Sequence, residues 1–209
     1  MHQYFSPLML SQKSLLEGIS YLATVDADLA KVVFELGNPP LWSREPGFPT
    51  MIQIILEQQV SLASARAAFN KLKESVNRLT PERFLEFTDG ELREIGFSRQ
   101  KTAYCRELSK GILNGDLDLG ELTRLDDTSA RIKMMKIKGI GPWTADIYLL
   151  MVLLRPDIWP AGDIALAKAT QKIKNLSSKP TPEMLHEIAV QWKPWRAVAA
   201  RVLWHYYLS

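Results

Sequence analysis

The chain has one cysteine, three histidines and no long uninterrupted hydrophobic run. A single cysteine, Cys105, excludes an intramolecular disulfide and a cysteine-ligated zinc or iron–sulfur site. The longest apolar run, residues 147–154, is too short to cross a membrane. The first ten residues carry no basic segment followed by an apolar one, so we expect a cytoplasmic, nucleoid-associated or nuclear protein. The histidines lack metal-ligand spacing, and we expect structural or surface roles for His2, His186 and His205.

The balance of charge changes along the chain. Residues 1–130 contain 14 Lys and Arg against 18 Asp and Glu, whereas residues 131–209 contain 12 against 5. The net charge is therefore −4 in the first part and +7 in the second. A basic surface attracts nucleic acid, but a solvated surface without a partner has the same composition. The C-terminal part is thus the candidate DNA-facing region.

Helix signals dominate, and no stretch shows the alternation of a strand bounded by hairpin turns. Thr88 with Glu91 forms a capping box before a short helix that Gly96 can end, and Ser98 can cap the next helix. The sequence therefore predicts an all-α protein. Besides that short helix, the predicted helices cover residues 11–24, 27–36, 48–57, 61–76, 81–87, 98–113, 127–137, 142–154, 163–174, 182–191 and 194–207.

Two breaks indicate how the helices are organised. Residues 37–40 (GNPP) form a turn-rich link, and residues 155–162 (RPDIWPAG) form a loop with two prolines. We predict a single compact, bilobal helical unit with a cleft between its lobes. Its expected parts are residues 1–40, which pack on the C-terminal lobe, residues 41–125, which form a helical lobe, and residues 126–209, which form the C-terminal lobe.

Residues 137–154 read IKGIGPWTADIYLLMVLL, which predicts two helices joined by a glycine-flanked turn. Gly139 and Gly141 would let backbone N–H groups approach a phosphate, while Ile140 would anchor the turn in the interior. Pro142 suits the first turn of the second helix, whose positive end favours an anion. The turn alone is weak evidence, because glycine commonly ends helices.

The string GIGPWTAD, the apolar helix, the proline-containing loop and Asp163 together resemble the helix-hairpin-helix signature of a DNA glycosylase superfamily. Within it, the sequence is most similar to the alkyl-base branch, 3-methyladenine DNA glycosylase II. The resemblance covers about residues 48–207 and implies an active-site cleft between two helical lobes. The segments that carry it are ILEQQVSLASARAAF (55–69), KGIGPWTADIYLL (138–150), PAGDIALAK (160–168) and WKPWRAVAARVLW (192–204).

The resemblance implies a monofunctional glycosylase of base excision repair, which flips an alkylated purine out of double-stranded DNA and hydrolyses its N-glycosidic bond. Asp163 matches the catalytic aspartate, whose carboxylate stabilises the positive charge that builds on the sugar; a helix N-cap is its other interpretation. Trp143 and Trp204 match positions that line the base pocket, where aromatic faces bind a cationic base. Trp143 also stands where strand-cleaving members carry a Schiff-base lysine, which predicts no lyase activity.

Gln58 and Gln59 interrupt a helical run where the family inserts side chains into the duplex, although a solvated kink is the alternative interpretation. In a bacterial form an apolar wedge stands where this chain has Gln59. We expect Arg196 to be a phosphate contact or a surface charge. The predicted DNA-binding residues are Lys138, Gly139, Ile140, Gly141, Thr144, Gln58 and Gln59.

No catalytic metal or organic cofactor is expected, although the resemblance implies that a monovalent cation could sit on hairpin carbonyls. We expect a monomer without membrane contact, whose DNA binding weakens with salt because phosphate contacts release counterions. Two alternatives stay open. One is a non-catalytic helix-hairpin-helix DNA-binding protein, in which Asp163 is only a cap. The other is a bifunctional glycosylase/lyase for oxidised bases.

Overall fold

The computed structural model describes residues 9–209, so the expectation for His2 lies outside the described residues. Within this range no residue forms a strand, which confirms the all-α prediction for that part of the chain. Two short 3-10 turns lie at Glu121–Arg124 and Val190–Trp192. The helices are α1 (Gln12–Val25), α2 (Ala27–Leu36), α3 (Phe48–Glu57), α4 (Leu62–Glu74), α5 (Pro81–Glu86), α6 (Asp89–Ile95), α7 (Arg99–Leu113), α8 (Asp127–Met135), α9 (Pro142–Met151), α10 (Ile164–Ile173), α11 (Pro182–Ala189) and α12 (Arg196–Leu208).

Local capping decides where most helices begin. The backbone N–H of Thr88 donates to the Glu91 carboxylate at 2.7 Å, and the Thr88 hydroxyl accepts from the Glu91 N–H. This is the predicted capping box of α6, and Gly96 ends that helix with a φ of 113°. The Ser98 side chain likewise caps α7. Because such signals are local, the predicted helix limits agree with the observed ones to within three residues.

The described residues group into two compact units. One combines the N-terminal segment up to Ser43 with Leu149–Ser209, and the other is Arg44–Tyr148. The division falls inside α9, whereas the prediction drew a boundary at residue 125. Residues 126–148, which include the glycine turn, therefore belong to the unit that begins at Arg44.

In the Arg44–Tyr148 unit the central element is α3, which packs against α4 and α7. Its side chains Met51, Ile52, Ile54 and Ile55 have no solvent exposure. Burying a side chain of this kind stabilises the fold by about 1.5–3 kcal/mol. The buried face of FPTMIQIILE thus anchors α3, which ends directly before Gln58.

In the other unit α12 is buried from Ala197 to Trp204 and packs against α10, α2 and α1. The charged residue within this buried stretch, Arg201, is fully buried and donates to the carbonyl oxygens of Leu41, Ala197 and Leu150 at 2.6, 2.9 and 2.9 Å. Burial lowers the pKa of Arg201 to about 10. None of the helices between residues 9 and 209 combines the length and the apolar character that a bilayer crossing requires.

Candidate functional site

The turn between α8 and α9 requires glycine at one position. Gly139 has a φ of 98°, and a Cβ atom there would lie 2.3 Å from Cγ of Tyr104. The next residue, Ile140, is 4% exposed, and its N–H donates to the Ile137 carbonyl at 3.0 Å. The prediction that Ile140 anchors the turn in the interior is confirmed. The turn is therefore held by one special backbone conformation and one buried side chain.

Gly141 lies in a different environment from Gly139. A Cβ atom at Gly141 would meet nothing within 4 Å, so the protein itself leaves this position open. Its carbonyl oxygen accepts from the Ala145 N–H at 3.0 Å, in the first turn of α9. Lys136 and Lys138 beside the turn are exposed. This arrangement offers a phosphate an accessible backbone, a helix N-terminus and positive charge.

An ion pair that the sequence analysis did not find braces the two hairpin helices. Arg131 on α8 donates through Nε to the carboxylate of Asp146 on α9 at 2.7 Å. The Asp146 side chain is only 8% exposed. A charged residue directly before the apolar run of residues 147–154 was the available signal, because a buried carboxylate requires a partner.

The two glutamines after α3 behave differently. The Nε2 group of Gln58 donates to the Gly139 carbonyl at 2.9 Å and to the Thr144 hydroxyl at 2.8 Å. Thr144 is 2% exposed. These contacts join the half-buried Gln58 to the hairpin, and the role of both side chains as DNA contacts stays a prediction. Gln59, by contrast, is exposed and has a left-handed backbone with a φ of 55°.

Asp163 immediately precedes α10. Its Oδ1 atom accepts from the Leu166 N–H at 2.9 Å, which makes Asp163 the N-cap of the helix. The same oxygen accepts from the indole Nε1–H of Trp204 at 3.2 Å. The structure therefore brings together two of the predicted site residues, and Trp204 is itself only 7% exposed.

The loop before Asp163 is fixed by packing and by charge. Ile158 and Trp159 are each 2% exposed. Asp157 accepts from Nε and Nη2 of Arg196, both at 2.8 Å. Arg196 is therefore the half-buried partner of a carboxylate and not an isolated surface charge, and its role as a phosphate contact stays a prediction. This ion pair joins the loop that precedes Asp163 to the start of α12.

Trp143 is the second residue of α9 and is half-buried in the Arg44–Tyr148 unit. Its role in a base pocket stays a prediction. Cys105 is fully buried, and burial raises the pKa of its thiol well above the ordinary range, in line with the expected inert cysteine.

In the part of the chain that the structure describes, acidic, histidine and cysteine side chains form no metal-binding cluster. No group of three or more His, Cys, Asp or Glu side chains there could hold an ion. The hairpin carbonyls of Ile137 and Gly139 each accept one hydrogen bond and keep a second lone pair. They are thus compatible with a main-chain monovalent cation, which stays a prediction.

Comparisons with known proteins support the resemblance found in the sequence. The family model of the HhH-GPD superfamily base excision DNA repair proteins matches residues 52–194. A Bacillus subtilis protein that is named as a candidate DNA-3-methyladenine glycosylase is 31% identical over 184 residues, which are 84% of this chain and 64% of that protein. This chain therefore spans less than two thirds of the length of that relative.

Solved structures of 3-methyladenine DNA glycosylases also resemble this chain. The Schizosaccharomyces pombe 3-methyladenine DNA glycosylase in complex with abasic DNA matches with a TM-score of 0.85 and 27% identity, over 90% of this chain and 95% of that one. The Bacillus halodurans DNA-3-methyladenine glycosidase matches with a TM-score of 0.74 and 26% identity, over 92% and 88% of the two chains. The family match covers more than half of the sequence and includes both the hairpin and Asp163. This chain belongs to the HhH-GPD superfamily of base excision DNA repair proteins.

Proposed function

We propose that this protein is a monofunctional DNA glycosylase that excises alkylated purines of the 3-methyladenine type and leaves an abasic site. The observation that carries the proposal is the carboxylate of Asp163, whose Oδ1 is held by the Leu166 N–H and the Trp204 indole. Asp163 lies inside the segment that the family model matches. The alkyl-base relatives support the same substrate class.

Asp163 would carry the chemistry. Cleavage of the N-glycosidic bond builds positive charge on the deoxyribose, and a fixed carboxylate stabilises that charge and orients the attacking water. Two N–H donors hold Oδ1 of Asp163 in one orientation. A preorganised carboxylate of this kind does not have to reorient during the reaction.

The hairpin would hold the DNA backbone. Gly141 leaves room for a phosphate, and Lys136 and Lys138 supply positive charge beside it. Gln59, exposed at the tip of the loop after α3, would fill the gap that a flipped nucleotide leaves. We propose that the protein acts on double-stranded DNA as a monomer.

Substrate choice would depend on aromatic side chains. An alkylated purine such as 3-methyladenine carries a delocalised positive charge, which aromatic faces attract. Trp143 and Trp204 are the proposed walls of the base pocket. Because tryptophan has no nucleophilic amine, Trp143 would not form a Schiff base, and the strand would stay intact after base release.

The test compares base release from a methylated duplex by the native protein and by Asp163→Asn at matched DNA occupancy. Asparagine keeps an oxygen that can accept from Leu166 and Trp204, so the fold is retained while the negative charge is lost. We expect the rate of base release to fall by about a hundredfold or more. Asp126→Asn is the matched control, because Asp126 is an exposed N-cap of α8 that accepts from the Ser129 N–H at 2.9 Å.

Two results would contradict the proposal. Binding of DNA by native protein and variant without release of any methylated base would favour a non-catalytic DNA-binding role. Covalent trapping on DNA by borohydride would reveal a Schiff base and favour a bifunctional glycosylase/lyase instead.

A further inference from the structure

Gln58 makes its two side-chain hydrogen bonds to residues more than 80 positions away in the sequence. One joins its Nε2 to the carbonyl of Gly139, in the glycine turn, and the other joins the same nitrogen to the hydroxyl of Thr144, in the first turn of α9. An amide nitrogen has two hydrogens, so both are used. The end of α3 is thereby attached to both sides of the hairpin.

A second contact fixes the same end of α3. The ammonium group of Lys101, on α7, donates to the carbonyl oxygen of Leu56, two residues before Gln58. Desolvation lowers the pKa of Lys101, which agrees with a partly buried ammonium group. The chain then turns at Gln59, whose left-handed backbone places the next residues in solvent, where Val60 is 45% and Leu62 is 57% exposed.

We propose that Gln58 is a positioning residue that couples the loop at Gln59 to the hairpin, so that the group that fills the duplex and the group that grips the phosphate keep a fixed separation. This inference rests on the proposed function. A flipped nucleotide leaves its gap at a set distance from the phosphates that are gripped. A filler that is displaced by about 1 Å loses much of its effect on the reaction geometry.

The contacts exclude a simpler role in which Gln58 itself fills the duplex. Reaching outward would break two hydrogen bonds and leave the Thr144 hydroxyl, in a residue that is 2% exposed, without its donor. Leaving a buried polar group without a partner is unfavourable. Gln58 therefore acts through Gln59 and Gly139, and the two neighbouring glutamines have separate tasks.

The test is a double-mutant cycle on DNA affinity. Gln58→Ala removes the donor, and Thr144→Val removes an acceptor while keeping the side-chain shape. For each protein the dissociation constant is measured by fluorescence anisotropy with two duplexes, one intact and one containing a tetrahydrofuran abasic analogue, which mimics the flipped state. The ratio of the two constants reports how well the gap is filled, and a loss of overall stability does not by itself change that ratio.

We expect Gln58→Ala and Thr144→Val each to reduce the preference for the abasic duplex by roughly three- to tenfold, and the double variant to lose no more than the worse single one. Gln58→Glu, which keeps the size but cannot donate when ionised, should match Gln58→Ala. Thr144→Ser keeps the hydroxyl and should retain the native preference. Gln53→Ala is the matched control, because its amide contacts only Glu57 in the same helix, at 3.0 Å.

Two outcomes would overturn the coupling. One is a preference that Gln58→Ala leaves unchanged although Gln59→Ala lowers it. The other is single effects that multiply in the double variant, which would mean that Gln58 and Thr144 act independently. A native protein that prefers the abasic duplex but releases no methylated base would overturn the proposed enzyme activity and leave this inference standing. Base release together with an abasic preference that neither variant changes would overturn this inference and leave the proposed enzyme activity standing.

Discussion

The glycine turn of residues 137–141 and the loop of residues 155–163 are held in place by different kinds of contact. The turn depends on the left-handed backbone of Gly139 and on a neutral hydrogen bond from Gln58. The loop depends on buried Trp159 and on the ion pair between Asp157 and Arg196. Adding a methyl group to the turn at Gly139 should therefore lower the free energy of unfolding. In the unit that carries the loop, removing a buried charge should lower it.

The largest expected effect on stability comes from Gly139→Ala, and Gly141→Ala in the same turn is its contrast. Gly139→Ala forces a Cβ to within 2.3 Å of Tyr104 at a φ of 98°. We expect it to lower the free energy of unfolding by about 3 kcal/mol, from backbone strain and overpacking together. Gly141→Ala meets no atom within 4 Å, so stability should hardly change while DNA affinity falls.

Urea denaturation and DNA titration of both variants measure this contrast. An equal loss of stability in both variants would contradict the open space inferred at Gly141. Unchanged DNA affinity in a folded Gly141→Ala variant would remove the phosphate from the proposed position.

The next largest effect on stability is expected for the ion pairs at the end of α10 that lies opposite Asp163. Lys174, directly after α10, donates to Asp26 at 2.9 Å and to Asp28 at 3.0 Å. Asp26 also accepts from the Trp192 indole at 2.8 Å, and its side chain is 2% exposed. We expect Asp26→Asn to lower the free energy of unfolding by about 2 kcal/mol, because charged buried hydrogen bonds are lost. Asp28→Asn is the control, since Asp28 is 46% exposed and its ion pair should contribute much less.

The same carboxylate gives this unit a dependence on pH. Desolvation raises the pKa of Asp26, but hydrogen bonds from Lys174, Trp192 and Leu29 outweigh it and hold the pKa below its ordinary value of 3.8. A depressed pKa gives stability that is present above the unfolded-state value and is lost as the pH falls through the folded-state value. The stability difference between native protein and Asp26→Asn should therefore be constant near neutrality and shrink below about pH 4. A difference that grows on acidification would contradict this assignment.

Local signals in the sequence were enough to place the helices, because caps such as Thr88 and Ser98 act within three residues of the groups they satisfy. The end of α9 was predicted too late, at residue 154. The helix stops at Met151, Leu154 takes a left-handed conformation, and the Arg155 N–H returns to the Leu149 carbonyl at 3.0 Å. A leucine at such a position carries no signal, since glycine is the residue that usually marks it.

In the candidate site, sequence-based prediction fails for contacts between residues that are far apart in the chain. The resemblance singled out Asp163 and Trp204, and the structure joins them by a hydrogen bond. The bond from Gln58 to Thr144 spans 86 residues and belongs to no periodic pattern. Pairing of polar side chains across such a distance depends on how α3 and α9 pack, so only the folded chain shows it.

The smallest expected effect tests whether the exposed charge beside the turn acts on DNA alone. Lys136 and Lys138 are exposed, so their replacement by alanine should leave the free energy of unfolding nearly unchanged. Each lysine that neutralises a phosphate contributes about 0.9 to the slope of log affinity against log salt concentration. We expect each single variant to lower the magnitude of that slope by about this amount, and the double variant by about twice as much. Lys13→Ala, an exposed lysine of α1, is the matched control and should keep the native slope. A slope that stays native in the double variant would place the phosphate contacts elsewhere on the basic C-terminal part of the chain, because counterion release counts only the charges that meet the DNA.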